Sequence, residues 1–358
     1  MRRGLPLFGL LALALAVACA PPTPVRVPAT PTPSGPRTLT LMSHDSFSAS
    51  EEVIARFQEQ HNAEIKFLKA GDAGAALNQA ILSKENPLAD VFFGVDNTFL
   101  SRALEAGIFE PYPSPALADI PDELELDPQH RLLPVDFGDV CLNYDKAWFE
   151  EKGIAPPATL EDLVKPEYKG LTVVENPATS SPGLAFLIAT VGHFGETGEY
   201  TYLDFWKDMR ANDVLVTDGW EDAYWGQASW WEGERPIVVS YATSPAAEVY
   251  FSEGKYAEPP TGNVLGEGAC FRQIEFVGIL KGTKNRDLAE KLVDFMLSKT
   301  FQEDIPLQMW VFPANKEAAL PDVFRWAEIP PQPAQVSAEE IAARRDLWIE
   351  RWTEIVLR

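Results

Sequence analysis

From residue 37 onward the apolar positions fall into two periods that alternate along the chain. Leu39-Thr40-Leu41-Met42 is a short apolar run and predicts a strand, ending at Ser43-His44-Asp45-Ser46-Phe47. Residues 51–61 then place Val53, Ile54 and Phe57 at helical spacing. Residues 65–68 predict a second strand, 75–83 a second helix and 89–93 a third strand. Residues 99–106 predict a third helix, stopped by Gly107. Strict alternation of strand and helix predicts an α/β unit built on a parallel sheet.

Residues 132–144 are mostly extended, and a second set follows. It predicts a strand at 171–174, helices at 183–192 and 202–211, and a buried strand at 237–241. A long strand at 271–280, an amphipathic helix at 287–298 and a long helix at 338–356, rich in Arg and Trp, complete the chain. No internal repeat is present. A chain of 358 residues exceeds one ordinary core, so two α/β lobes are expected. One comprises 38–138 plus 272–358 and the other 139–271, joined by extended crossings that act as a hinge. Ligands of open α/β sheets gather beyond the carboxyl ends of the strands. The segments that follow strands are therefore the ones to search.

The amino end reads as an export signal over residues 1–19. Arg2 and Arg3 precede an apolar stretch at 5–17 that is too short to span a bilayer as a helix. Leu15-Ala16-Val17-Ala18-Cys19 resembles a bacterial lipobox, with Ala16 where Leu is usual and Cys19 as the residue to be lipidated. Plain signal cleavage after Ala18 or Ala20 is the other reading. Residues 20–37, rich in Pro and Thr, favour extended conformations and read as a spacer from membrane to body. The protein is thus expected in the periplasm or on the outer face of the cytoplasmic membrane.

Charge narrows the partners. The net charge of −23 repels phosphate backbones and argues against nucleic acid. Export permits a disulfide between Cys141 and Cys270, but spacing does not decide it. There is no CxxC, HExxH or His cluster, so no metal site is indicated. There is no GxSxG elbow or phosphate-binding Gly loop either, so no catalytic residue is assigned. Ten Trp are generous for this length; most such rings are core, but some are available for stacking.

Candidate chemistry lies in the segments after strands. Asp45-Ser46-Phe47, Ala70-Gly71-Asp72, Gly94-Val95-Asp96-Asn97 and Thr179-Ser180-Ser181-Pro182-Gly183-Leu184 are four of them. Gly219-Trp220-Glu221-Asp222-Ala223-Tyr224, Ser240-Tyr241-Ala242-Thr243-Ser244-Pro245, Ile305-Pro306 and Trp310-Val311-Phe312-Pro313 complete the set. In order and spacing they resemble the periplasmic thiamine-binding proteins of ABC importers, from about residue 38 to the end.

That resemblance implies a type II, two-lobed periplasmic-binding-protein fold holding a small ligand in the interlobe cleft. It implies thiamine or a thiamine phosphate as ligand, no cofactor, a monomer, and an ABC permease with its ATPase as partners. Thiazolium is a permanent cation, and aromatic faces attract it by roughly 0.5–2 kcal/mol each. Trp220, Tyr224, Tyr241 and Trp310 are the aromatic candidates. Asp45 and Asp72 are the acidic ones. Ser180, Ser181 and Ser244 offer hydroxyls and free N–H groups at helix starts, suited to a hydroxyl or phosphate tail.

Simpler roles compete. Ser before a helix ordinarily caps it, Asp72 fits the cap of the next helix, and Tyr241 ends a buried strand. The sequence also departs from the family: His44 stands where Tyr is frequent, and the loop after Phe47 lacks a Trp that some members carry. One side of the aromatic cage is therefore altered. A polyamine or ferric ion remains an alternative ligand, although Tyr241 lacks the adjacent Tyr that iron sites use. An exported hydrolase is the reading from a different class.

Overall fold

Most apolar runs from Leu39 onward become buried strands or the inner faces of helices, while the edge strand at 65–68 leaves Phe67 exposed. The computed structural model describes residues 35–358 together with Met1; the signal segment, Cys19 and nearly all of the spacer lie outside the described residues. Residues 36–358 form one compact unit. Its first elements are β1 (Arg37–Ser43), α1 (Glu51–His61), β2 (Ala63–Lys69), α2 (Ala73–Leu82), β3 (Val91–Asp96), α3 (Leu100–Ala106) and β4 (Phe109–Glu110). Then come β5 (Leu133–Asp145), α4 (Lys146–Lys152), β6 (Thr172–Glu175), α5 (Ser181–Phe194), α6 (Tyr202–Ala211), β7 (Leu215–Thr217) and α7 (Trp220–Tyr224). The remainder is β8 (Ile237–Tyr241), α8 (Ser244–Phe251), β9 (Thr261–Val264), β10 (Phe271–Leu280), α9 (Arg286–Leu297), α10 (Lys299–Gln302), α11 (Ile305–Gln308), β11 (Phe312–Pro313) and α12 (Ala338–Val356). Ser50, Asp72, Asp145, Ser180 and Ser337 each cap a helix by accepting a backbone N–H.

The strands join in one sheet, ordered β2-β1-β3-β10-β5-β8-β6-β7. β1, β2 and β3 run parallel, as do β6, β7 and β8. β10 is antiparallel to both β3 and β5, and β5 is antiparallel to β8. Each set is thus parallel as expected, and the antiparallel crossings β5 and β10 between them make the whole sheet mixed. The chain leaves the first set of strands on β5 and returns on β10. A return strand laid beside the outgoing one must run the opposite way.

The expected lobe boundaries fall where these two strands lie side by side, with Gly138 opposite Gln273 and Asp139 opposite Arg272. Cys141 and Cys270 are disulfide-bonded next to this crossing. The closing helix α12 buries Trp348 and Trp352 completely and packs against both α3 and α6. These rings are core, as is Trp206, which meets Trp352 edge to face at 5.6 Å. Among the described residues no helix is long and apolar enough to cross a membrane.

Candidate functional site

The carboxyl ends of β1, β2, β6, β7 and β8 open toward one place. His44 follows β1, Asp72 follows β2, Ser181 starts the helix after β6, Trp220 starts the one after β7, and Tyr241 closes β8. All of them line one cavity of about 180 Å³. At roughly 10–15 Å³ for each water it would hold, that is room for a small ring solute. Gln273 and Glu275 of β10 and the Met309-Trp310-Val311 loop complete the wall.

Aromatic rings dominate that wall. Trp220 stacks on Tyr224 at 4.9 Å, with their planes 14° apart. The indole N–H of Trp220 donates to Ser240 Oγ at 2.9 Å, which fixes the ring. Tyr241 stands nearly edge-on to Trp220 at 6.3 Å, and its hydroxyl donates to Gln273 Oε1 at 2.7 Å. Trp310 sits at φ +59°, a left-handed backbone that a bulky residue adopts at a cost. Its ring is held between Phe324 on one side and Tyr250 and Phe251 on the other. Strain tolerated to place one indole at a cavity mouth is a functional signal.

Acidic groups lie behind the rings. Asp72 accepts N–H bonds from Ala73 at 2.6 Å and Trp220 at 2.9 Å, so one carboxylate ties the start of α2 to the start of α7. Burial raises its pKa, against the Trp220 N–H and the His44 charge that lower it. Asp96 accepts from Ser181 Oγ, from Gln273 Nε2 at 2.7 Å and from Thr98 Oγ1 at 2.7 Å. Glu275 lies 3.1 Å from His44 Nε2. Burial pulls the His44 pKa down, but Glu275, Asp72 and Asp45 outweigh it and the net direction is up. The His44 ring fits because residue 94 is Gly: a Cβ there would stand 2.3 Å from its Cδ2. Among the described residues no Lys or Arg lines the cavity, so His44 is its one base.

Of the residues singled out from the sequence, Asp72, Ser181, Trp220, Tyr224, Tyr241, Ser244 and Trp310 line this cavity. Asp45 and Ser180 do not. Asp45 turns away to accept the Gly71 N–H at 3.0 Å and braces the loop beneath. Ser180 is fully buried as the cap of α5. Ser244 combines both roles, since its hydroxyl lies 3.0 Å from Ser240 Oγ and accepts the Tyr241 N–H at 3.3 Å. Sequence reading missed Gln273, Glu275 and Asp136. The available signal was a carboxylate in an otherwise apolar strand, Glu275 between Ile274 and Phe276 and Asp136 between Val135 and Phe137, where burial of a charge is costly.

Similarity to known proteins agrees with this geometry. Residues 86–331 match the family described as bacterial extracellular solute-binding protein. The thiamine-binding periplasmic protein of Salmonella typhimurium is 30% identical over 339 residues, covering 89% of this chain and 94% of the relative. That of Escherichia coli is 30% identical over 336 residues, with the same coverage of each. Among solved structures, a periplasmic thiamin binding protein superposes with a TM-score of 0.79 at 28% identity, covering 90% of this chain and 99% of that one.

Proposed function

This chain belongs to the bacterial extracellular solute-binding proteins, and we propose that it captures thiamine or a thiamine phosphate for an ABC importer. The observation that carries the reading is a cavity walled by Trp220, Tyr224, Tyr241 and Trp310 and backed by Asp72 and Glu275, with no lining Lys or Arg among the described residues. Such a cavity suits a flat, permanently charged heterocycle. Ring faces attract the thiazolium, and buried carboxylates offset its charge and accept aminopyrimidine donors. Ser181 and Ser244 stand at the starts of α5 and α8, where their hydroxyls face the cavity and suit a hydroxyl or phosphate tail.

Capture proceeds by closure about the paired crossings β5 and β10. Both walls contribute: Asp72 comes from the first set of strands, Trp220 and Tyr241 from the second. Ligand favours closure only as far as it binds the closed form better. The closed form then docks on the permease and its ATPase. Export follows from the signal, and a lipid on Cys19 with the Pro-rich spacer behind it tethers a monomeric body to the membrane.

The test is isothermal titration of residues 36–358 with thiamine, its mono- and diphosphate, spermidine and ferric citrate. Saturable binding of a thiamine form is expected, and the ranking of the three reports on the Ser181 and Ser244 ends. Silence with all three alongside clear binding of spermidine or ferric citrate overturns the ligand while leaving the fold intact.

A further inference from the structure

Three carboxyl groups stand in one row across the centre of the sheet. Glu275 of β10 is the register partner of Asp96 on β3 and of Asp136 on β5. Residues directly opposite across a ladder project to the same face, where like charges oppose each other. The same ladder shows how this fold settles a buried acid when structure alone is at stake. Three residues along β5, Asp139 faces Arg272 and takes two N–H bonds from its guanidinium, each 2.8 Å. Asp136 faces an acid instead. It is 1% exposed, and neither of its carboxyl oxygens has a hydrogen-bond partner.

Two carboxyls side by side in a low-dielectric interior do not readily both ionise, and the fully buried Asp136 beside Glu275 is the one pushed toward keeping its proton. The groups that face this pair are few. His44 approaches from the loop after β1, with Asp45 behind it. Asp96 approaches from the end of β3 and Tyr241 from the end of β8, while Asp72 at the start of α2 acts on His44 and Tyr241. Arg272 is committed to Asp139. Set against Asp72, Asp96, Asp136 and Glu275, His44 is the one base, and Glu275 reaches the cavity surface.

We propose that Asp136 holds a proton in the ligand-free cleft and releases it to solvent when a cationic solute settles over Glu275, so that the protein exchanges a proton for its cation. The inference rests on the cationic ligand proposed above. A fixed positive charge over Glu275 stabilises the second negative charge of the pair. By linkage, a ligand that expels a proton binds more tightly as pH rises. Burial and the facing Glu275 raise the pKa of Asp136, the direction this requires. A neutral ring of the same shape fills the aromatic walls without expelling the proton and gains nothing from it. The pair is thereby a charge-selecting element.

The experiment is titration of residues 36–358 with thiamine in buffers of different ionisation enthalpy, between about pH 7 and about pH 8.5, where the unphosphorylated ligand keeps a constant charge. The slope of observed enthalpy against buffer enthalpy counts protons. Release of between about half and one proton per ligand is expected, with affinity rising roughly 3- to 10-fold per pH unit. Asp136→Asn replaces the protonated acid by a neutral group of the same shape; it should still bind, release no proton and lose the pH slope. His44→Gln should keep the release. Binding of thiamine by the wild type with no proton exchanged overturns this inference and leaves the ligand assignment standing. Loss of release in His44→Gln but not in Asp136→Asn overturns it too, since the donor is then the imidazole. Absence of thiamine binding refutes the ligand reading beneath it. If Asp136→Asn does not fold, the His44→Gln buffer series decides: release kept there supports the buried acid as donor, and release lost there overturns the inference.

Discussion

Replacing Glu248 by Gln should remove a pH-dependent weakness from the wall of the cleft. Glu248 is 1% exposed on α8 and lies behind the Trp220–Tyr224 stack. One of its oxygens accepts the Tyr224 hydroxyl at 3.0 Å, and the other accepts the Thr261 hydroxyl. Burial pushes its carboxyl from 4.5 up to about 8, more than those two hydrogen bonds and Lys146 bring it down. The folded protein therefore keeps this proton up to about pH 8, while the unfolded chain loses it near 4.5. Between those values the folded state binds more protons, so stability falls as pH rises, by about 1.4 kcal/mol per unit and roughly 5 kcal/mol across the window. Above about pH 8 the loss is complete and the curve levels. The amide of the Glu248→Gln variant carries no such proton. Its carbonyl still accepts from Tyr224, and the altered Thr261 contact costs about 1 kcal/mol. Urea unfolding from about pH 5 to about pH 8.5 should show the variant level with or slightly below wild type at the acid end and several kcal/mol above it at the alkaline end. Wild-type and variant curves that stay parallel would refute the reasoning.

Three other changes test other parts. Trp220→Ala removes the indole that stacks on Tyr224 and bonds Ser240, and should weaken thiamine binding about 2- to 30-fold with an unchanged far-ultraviolet circular dichroism spectrum; Tyr241→Ala should act in the same direction. Wild-type affinity in both would dismiss the aromatic wall. Replacing Cys141 and Cys270 together by Ser opens a cross-link spanning 129 residues, and chain entropy sets the loss of unfolding free energy at about 5 kcal/mol or less, read by urea unfolding, with ligand binding retained. Gly94→Ala places a methyl against the His44 ring at a backbone φ of +101°, so it should lower the melting temperature and weaken binding together.

The periodicity of the sequence carried most of the secondary structure. The helices at 51–61, 202–211 and 338–356 and the strands at 237–241 and 271–280 stand where their apolar spacing puts them. Strand direction was not legible, because alternation tells how residues face and not how a returning strand lies beside an outgoing one. β10 next to β5 is the case in point. The rings and hydroxyls after strands were legible because a topological rule gathers those positions. Asp45 and Ser180 stand one residue from side chains that line the cavity and point elsewhere, since rotamer direction is set by the bonds to Gly71 and to the start of α5. Asp136 and Glu275 stayed hidden for the opposite reason: they lie within strands, and only the register makes them neighbours.

The way acids are buried around this cleft separates what folding needs from what binding needs. Asp139 has an arginine. Asp72 and Asp96 have backbone and hydroxyl donors from both sets of strands, so they hold the walls in position while their charge is spread over several partners. Asp136 has neither, although a guanidinium lies on the neighbouring strand. A lysine opposite Asp136 in place of Glu275 would pair that acid and leave the cavity with little to offer a cation. An unpaired, protonated acid under an aromatic wall is stability withheld from the ligand-free protein, and a positive ring is the group that recovers it on binding.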